Sequence, residues 1–177
     1  LYYTESLKMD NYVLIMAPAI ILASIFTVFY GRVYDKFKFE KSVFPAIMIL
    51  CIGYLLLYFF TGTAMVFIGS LFMMCGYLGG MAVFGAVIRD NTPQNKAGMF
   101  QGLRIFSQVL IPGVVGPAIG AMVLKNAETV LNSDGTTSFI PNKNIFLSAL
   151  IVAIILILVL YMVLYLRKKL TKKTTST

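Results

Sequence analysis

Histidine is missing from this chain altogether, and charge is scarce. Without imidazole there is no His-based metal site, no Ser-His or Cys-His nucleophile pair and no histidine proton relay. Charged residues make up 12% of the sequence, about half the usual share. Lys, Arg, Asp and Glu are wholly absent from 11–31, 42–88, 105–124 and 144–166. With no acidic pair and no Lys base inside those stretches, serines such as Ser24, Ser70 and Ser107 have nothing to activate them. No catalytic residue and no metal ligand set is therefore expected. The two cysteines, Cys51 and Cys75, fall inside apolar stretches and are expected to behave as small buried hydrophobes.

What fills those stretches is apolar: 59% of the residues are hydrophobic, and the mean hydropathy is +0.85. A helix rises about 1.5 Å per residue, so a hydrocarbon core of ~30 Å needs roughly 20 apolar residues. Three stretches fit one span each, and the longest divides at Thr61-Gly62-Thr63. The fold class is all-α, a polytopic membrane helix bundle, with spans predicted at 11–30, 43–60, 64–88, 101–124 and 145–166. Leu1-Tyr2-Tyr3 reads as the exit of an earlier span, because tyrosine favours the membrane interface. That makes six spans and implies that the chain is a fragment.

The net charge of +8 does not point to nucleic acid, because the cations flank apolar spans instead of forming a displayed patch. Most basic residues fall in alternate connections: Arg32, Lys36, Lys38 and Lys41; then Arg89, Lys96 and Arg104; then Arg167, Lys168, Lys169, Lys172 and Lys173. Lys8, Lys125 and Lys143 lie in the connections between. The positive-inside rule then places Leu1 outside and the basic tail 167–177 in the cytoplasm, unstructured and resting against the anionic inner leaflet. The long connection 125–144 contains Asp134-Gly135 between residues that tolerate strand, so a small hairpin and an irregular loop both fit.

The connection Gly31-Arg32-Val33-Tyr34-Asp35-Lys36-Phe37-Lys38-Phe39-Glu40-Lys41 carries the first mechanistic signal. Glycine at a helix end allows a neighbour to approach closely. A carboxylate at the membrane surface can face a helix N-terminus or a cation and hold one conformation closed. An ordinary inside loop would carry similar charges. Gly31, Asp35 and Lys36 resemble the Gly-x-x-x-Asp-Arg/Lys-x-Gly-Arg-Arg/Lys signature of the major facilitator superfamily. Lys38 stands where that pattern has its second glycine and Phe39 where it has a basic residue, which leaves the sharp turn unsecured.

Arg89-Asp90-Asn91-Thr92-Pro93, followed by Gly98 to Arg104, is more distinctive. Thr92-Pro93 should end the preceding helix, since proline lacks the N–H and disfavours helix before it. The block is similar to one in the glycoside–pentoside–hexuronide:cation symporters of that superfamily. Beyond it, Gln101, Arg104 and Gln108 recur at helical spacing as a polar stripe. Gly113, Gly116 and Gly120 form a small stripe, with Gln108 and Gly113 about 140° apart on an uninterrupted helix. The polar stripe is expected to line the inner end of a water-accessible cleft, or else to snorkel and pair with a neighbouring helix. Pro112 and Pro117 should bend this helix, and Pro18 the first. Gly76 and Gly80, with the three stripe glycines, are expected at close helix contacts.

The resemblance implies the C-terminal six-helix half of a twelve-helix secondary transporter in a bacterial plasma membrane, partnered by lipid and by an N-terminal half. Gly31, Asp35, Lys36, Arg89, Asp90 and Arg104 would gate it, and Gln101, Gln108 and Pro112 would line the solute cavity. It implies no cofactor, only a coupling ion, Na+ or H+, and no nucleic-acid partner. These spans hold no carboxylate to bind that ion, so its site is expected in the other half. The implied solute is small, with a sugar or glycoside leading and an exporter of drugs or other amphipathic compounds as the alternative. A non-transporting membrane scaffold is the reading from outside the class.

Overall fold

The computed structural model describes residues 2–9, 11–131 and 135–174. Among them, four helical runs are long and apolar enough to cross a membrane. The first, Tyr12–Phe59, has 48 residues, about 70 Å of helix and more than twice what one crossing needs. It is two helices, α1 (12–37) and α2 (39–59), joined at Lys38, whose φ of 60° and ψ of −173° lie outside the helical region. The chain doubles back there. The buried Tyr30 hydroxyl donates to the Ser42 carbonyl at 2.8 Å, and Tyr30, Tyr34, Val43, Ala46 and Ile47 share one core. α3 (Thr63–Asn91) follows, then α4 (97–123) and α5 (Asn144–Thr174).

Two expected boundaries move. Residues 31–37 are helical and extend α1, although charge begins at Arg32. Charge marks where hydrocarbon ends, whereas a helix ends only where its backbone is broken, and nothing before Lys38 breaks it. Likewise α5 runs on through Thr174, so the described part of the basic tail is helical and not unstructured. Arg, Lys and Leu are good helix formers, and neither Gly nor Pro interrupts them. Lys168 reaches back to Glu40 at 3.3 Å. Leu1, the Asp134 of the expected turn and Thr175 to Thr177 lie outside the described residues. Of the two forms expected for the long connection, the hairpin is found. β1 (Thr129–Leu131) pairs antiparallel with β2 (Thr137–Phe139), Val130 opposite Ser138, and Gly135 supplies a φ of 79°.

α2 and α3 pack on each other through glycine. A Cβ at Gly76 would run into the Leu50 backbone, and one at Gly53 into that of Met73. In lipid, where no hydrophobic effect drives helices together, such close approach is what holds them. Gly80, by contrast, faces open space, as do Gly113, Gly116 and Gly120. The expected glycine pair is therefore split, and a Cβ added at any of the three stripe glycines on α4 would meet nothing. No residue of α4 is buried. At the end opposite the Lys38 turn, Tyr2, Leu57, Val66 and Phe146 form a second core. There the Tyr3 and Ser70 hydroxyls bond at 2.8 Å, and Ser6 donates to the Pro141 carbonyl.

Two stability outcomes follow from the backbone. The φ of Lys38 favours glycine, and such strain costs a non-glycine residue roughly 1–3 kcal/mol. Lys38→Gly should therefore melt higher than Lys38→Ala, the reverse of the order expected inside a helix, with both variants lacking the lysine side chain. An alanine variant as stable as the glycine one would remove the strain argument. At the helix contact, Gly76→Ala should lower the melting temperature and folded yield in detergent, while Gly80→Ala should leave both unchanged.

Candidate functional site

The Lys38 turn, the end of α3, the start of α4 and the basic end of α5 all lie at one end of the bundle. α3 stops where Thr92 turns extended (φ −90°, ψ 117°) ahead of Pro93. The Asn91 and Thr92 side chains meanwhile cap the Val87 and Ile88 carbonyls at 2.8 and 2.6 Å. This fixes Asp90 in the last turn of α3, facing α1. The Tyr34 hydroxyl donates to Asp90 Oδ2 at 2.9 Å, and Arg89 Nη2 lies 3.3 Å from Oδ1. The two contacts differ in kind. Tyr34 is 3% exposed, so its bond sits at the wall of the core. The Arg89 side chain is 73% exposed and its pairing is screened by water and salt. Lys38 adds a more distant attraction to Asp90 and places its Nζ 5.8 Å from the Tyr34 ring centre.

Three clefts open around this contact. One, of ≈ 220 Å³ between α1 and α3, is lined by Gly31, Tyr34, Asp35, Ala86 and Arg89. A second, of ≈ 590 Å³ between α3 and α4, is lined by Gly85, Arg89, Thr92, Gln94, Gln101 and Arg104. A third, of ≈ 480 Å³, is bounded by Phe39, Phe100, Leu103, Arg104, Gln108 and Arg167. Arg104 divides the last two. Its Nε donates to Gln108 Oε1 at 3.0 Å, and its guanidinium passes beside Gly85, where an added Cβ would sit 3.5 Å from Nη2.

Five of the six expected gating residues thus lie around these clefts: Gly31, Asp35 and Arg89 together, Asp90 against Tyr34, and Arg104 across the α3–α4 cleft. Lys36 does not join them; its Nζ lies 5.3 Å from the Phe37 ring centre. No neighbour approaches Gly31, which has open space where a Cβ would be. Of the cavity candidates, Gln101 and Gln108 line different clefts, both shared with Arg104. Pro112 lies one turn beyond, directly after a π-helical turn, Phe106–Leu110. There the Ile111 N–H bonds to the Phe106 carbonyl, five residues back. A proline ring clashes with the carbonyl four residues before it, and widening the preceding turn relieves the clash. The 140° separation calculated for a regular helix does not carry across that turn.

Tyr34 is the residue that reading the sequence missed. Phe26, Tyr30 and Tyr34 recur every four residues, so the helical period continues past the first charge at Arg32. That continuity was the available signal. Gly85 and Gln94 carry none.

A family model, that of the Major Facilitator Superfamily, matches residues 2–177. No curated protein matches the chain, and no solved structure does.

If the Arg104–Gln108 face is wetted, Gln108→Cys should react with a water-soluble maleimide in native membranes after Cys51 and Cys75 are replaced by alanine. Val109→Cys, on the neighbouring face, should react several-fold more slowly. Equal protection of both positions in every condition tried would count against a water-filled cleft.

Proposed function

Because the chain belongs to the Major Facilitator Superfamily, whose members are transporters and not enzymes, we propose that it is the C-terminal six-helix half of a twelve-helix transporter working by alternating access. In such a mechanism two halves rock about a central site, and contacts at one end must form in one state and break in the other. The observation that carries the reading is the meeting of α1 and α3 at the basic end: Tyr34 on Asp90, with Asp35 and Arg89 lining the cleft beside them. These are polar contacts at a helix terminus, so they can be exchanged without unpacking the apolar core. The glycine-locked α2–α3 pair stays rigid beneath them. No residue of α4 is fully buried within this half, and its small stripe supplies a face for the N-terminal half to pack on.

For the solute, Thr92, Gln94 and Gln101 with two arginines give the α3–α4 cleft hydrogen-bonding walls. That supports a small polar solute, a sugar or glycoside moved by cation symport with Na+ or H+. The Arg89–Pro93 and Gly98–Arg104 blocks favour the glycoside–pentoside–hexuronide branch. A second reading, export of amphipathic compounds, draws on the largely apolar walls of the third cleft, where Phe39, Phe100 and Leu103 meet. Both readings place the basic end in the cytoplasm.

Reconstituted into proteoliposomes, the complete transporter should take up a labelled glycoside under an imposed Na+ or proton gradient. Tyr34→Phe and Asp90→Asn should each change the uptake rate several-fold at normal protein levels. Unaltered uptake in both variants would remove the gate, and failure to move any solute would favour the scaffold.

A further inference from the structure

We propose that Pro112 is a positioning residue: through a π-turn in α4 it swings the glycines beyond it into line with Gln101 and Arg104. The turn spans Phe106–Leu110, and the backbone on either side of it, at Ile105 and Ile111, stays helical. The Ile111 N–H reaches the Phe106 carbonyl, five residues back, where a regular turn closes on the fourth. A single turn of that kind amounts to one extra residue, so everything beyond it is rotated by about 100°. Pro112 supplies the reason for it. In a regular helix its ring would press on the Gln108 carbonyl, and it has no N–H to bond there in return.

The rotation decides which side chains share a face. On a regular helix Gln101, Arg104, Gly113, Gly116 and Gly120 would spread over about 180° of the surface. With one residue taken up in the turn they fall within an arc of about 80°. Val115 and Ile119, which a regular helix would put in that arc, are carried away from it. The inner part of this face is the wall of the α3–α4 cleft, where Gln101 and Arg104 lie. Its outer part has open space where each glycine would carry a Cβ. If the chain is half of a transporter, as proposed, the face that α4 offers the N-terminal half continues the cleft wall. A solute moving outward from Gln101 and Arg104 then meets glycine along that line, not β-branched side chains.

Cysteine labelling of the complete transporter in native membranes tests this, with Cys51 and Cys75 replaced by alanine. A water-soluble maleimide is applied with and without an imposed Na+ or proton gradient. In the faster condition Gly116→Cys and Gly120→Cys should react several-fold faster than Val115→Cys and Ile119→Cys. Pro112→Ala removes the ring clash, lets the turn close to a regular one and should invert that order. Deleting Val109 in the Pro112→Ala background takes out the extra residue and should restore the order, a rescue that a merely structural proline would not show. Uptake should fall with Pro112→Ala and recover with the deletion. Equal or inverted labelling in the parent protein would overturn the proposal. So would a Pro112→Ala variant of normal yield that keeps the parent's order, or a deletion variant of normal yield that leaves it inverted. The labelling order does not depend on transport, so the expected order in a protein that moves no solute removes the transporter reading alone.

Discussion

In hydrocarbon an unpaired N–H or C=O costs several kcal/mol, so each membrane-crossing segment must close its own backbone ladder. That constraint reaches the side chains as well. The hydroxyls of Ser24, Thr27, Ser70 and Ser107 each bond to the carbonyl four residues earlier, at 2.6 to 2.8 Å. They satisfy themselves locally, and Ser70 in addition shares a bond with the Tyr3 hydroxyl. Polar contacts between separate helices therefore collect at the ends, where water and headgroups share the work of solvation. Tyr34 with Asp90 and Glu40 with Lys168 join helices at the basic end, and Tyr3 with Ser70 ties the N-terminal turn to α3 at the other.

The two ends are built differently. Aromatic rings dominate the end near Tyr2, where Tyr2 packs edge-on against Phe146 and Lys143 lies over Tyr58. Apolar contacts of that kind are non-directional and add up over area. The basic end relies instead on a few directed contacts around open clefts. A bundle tied by packing at one end and by exchangeable hydrogen bonds at the other has its freedom where the charges are. α4 differs from the other helices in the same way: it carries a π-turn, two prolines and no buried residue. Among the described helices it is the one least committed to the rest of the bundle.

Much of this was legible from hydropathy alone, because lipid excludes charge so strongly that uncharged stretches report crossings directly. Helix ends were less legible, since charge reports the membrane surface and not the backbone. A helix ended at Tyr30, just before the first charge at Arg32, hides Tyr34, although Phe26, Tyr30 and Tyr34 continue one helical face. Asp35, Arg89, Asp90 and Arg104 stand out because they sit in the two connections whose spacing resembles family motifs, although an ordinary inside loop would carry similar charges. Glycine is less legible. Gly76 and Gly80 look alike in sequence, yet only Gly76 meets a backbone, and Gly53 does so with no motif around it. A small residue permits close approach without causing it, and which glycine is used depends on how the helices cross.

Lys38 shows how a departure from a family pattern is to be weighed. The pattern has glycine there, and its replacement by lysine suggests that the tight turn has been lost. The turn is nevertheless made, with lysine held at a positive φ that side chains avoid. Surrounding packing must over-determine the conformation for it to persist. Tyr30 bonded to the Ser42 carbonyl and the core of Val43, Ala46 and Ile47 do so from both sides of the turn. What the lysine adds is a cation facing the Tyr34 ring and drawing on Asp90. A glycine would relax the backbone and lose that cation. One position thus joins the geometry of the turn to the electrostatics of the contact it leads into, a link that a motif comparison scores only as a mismatch.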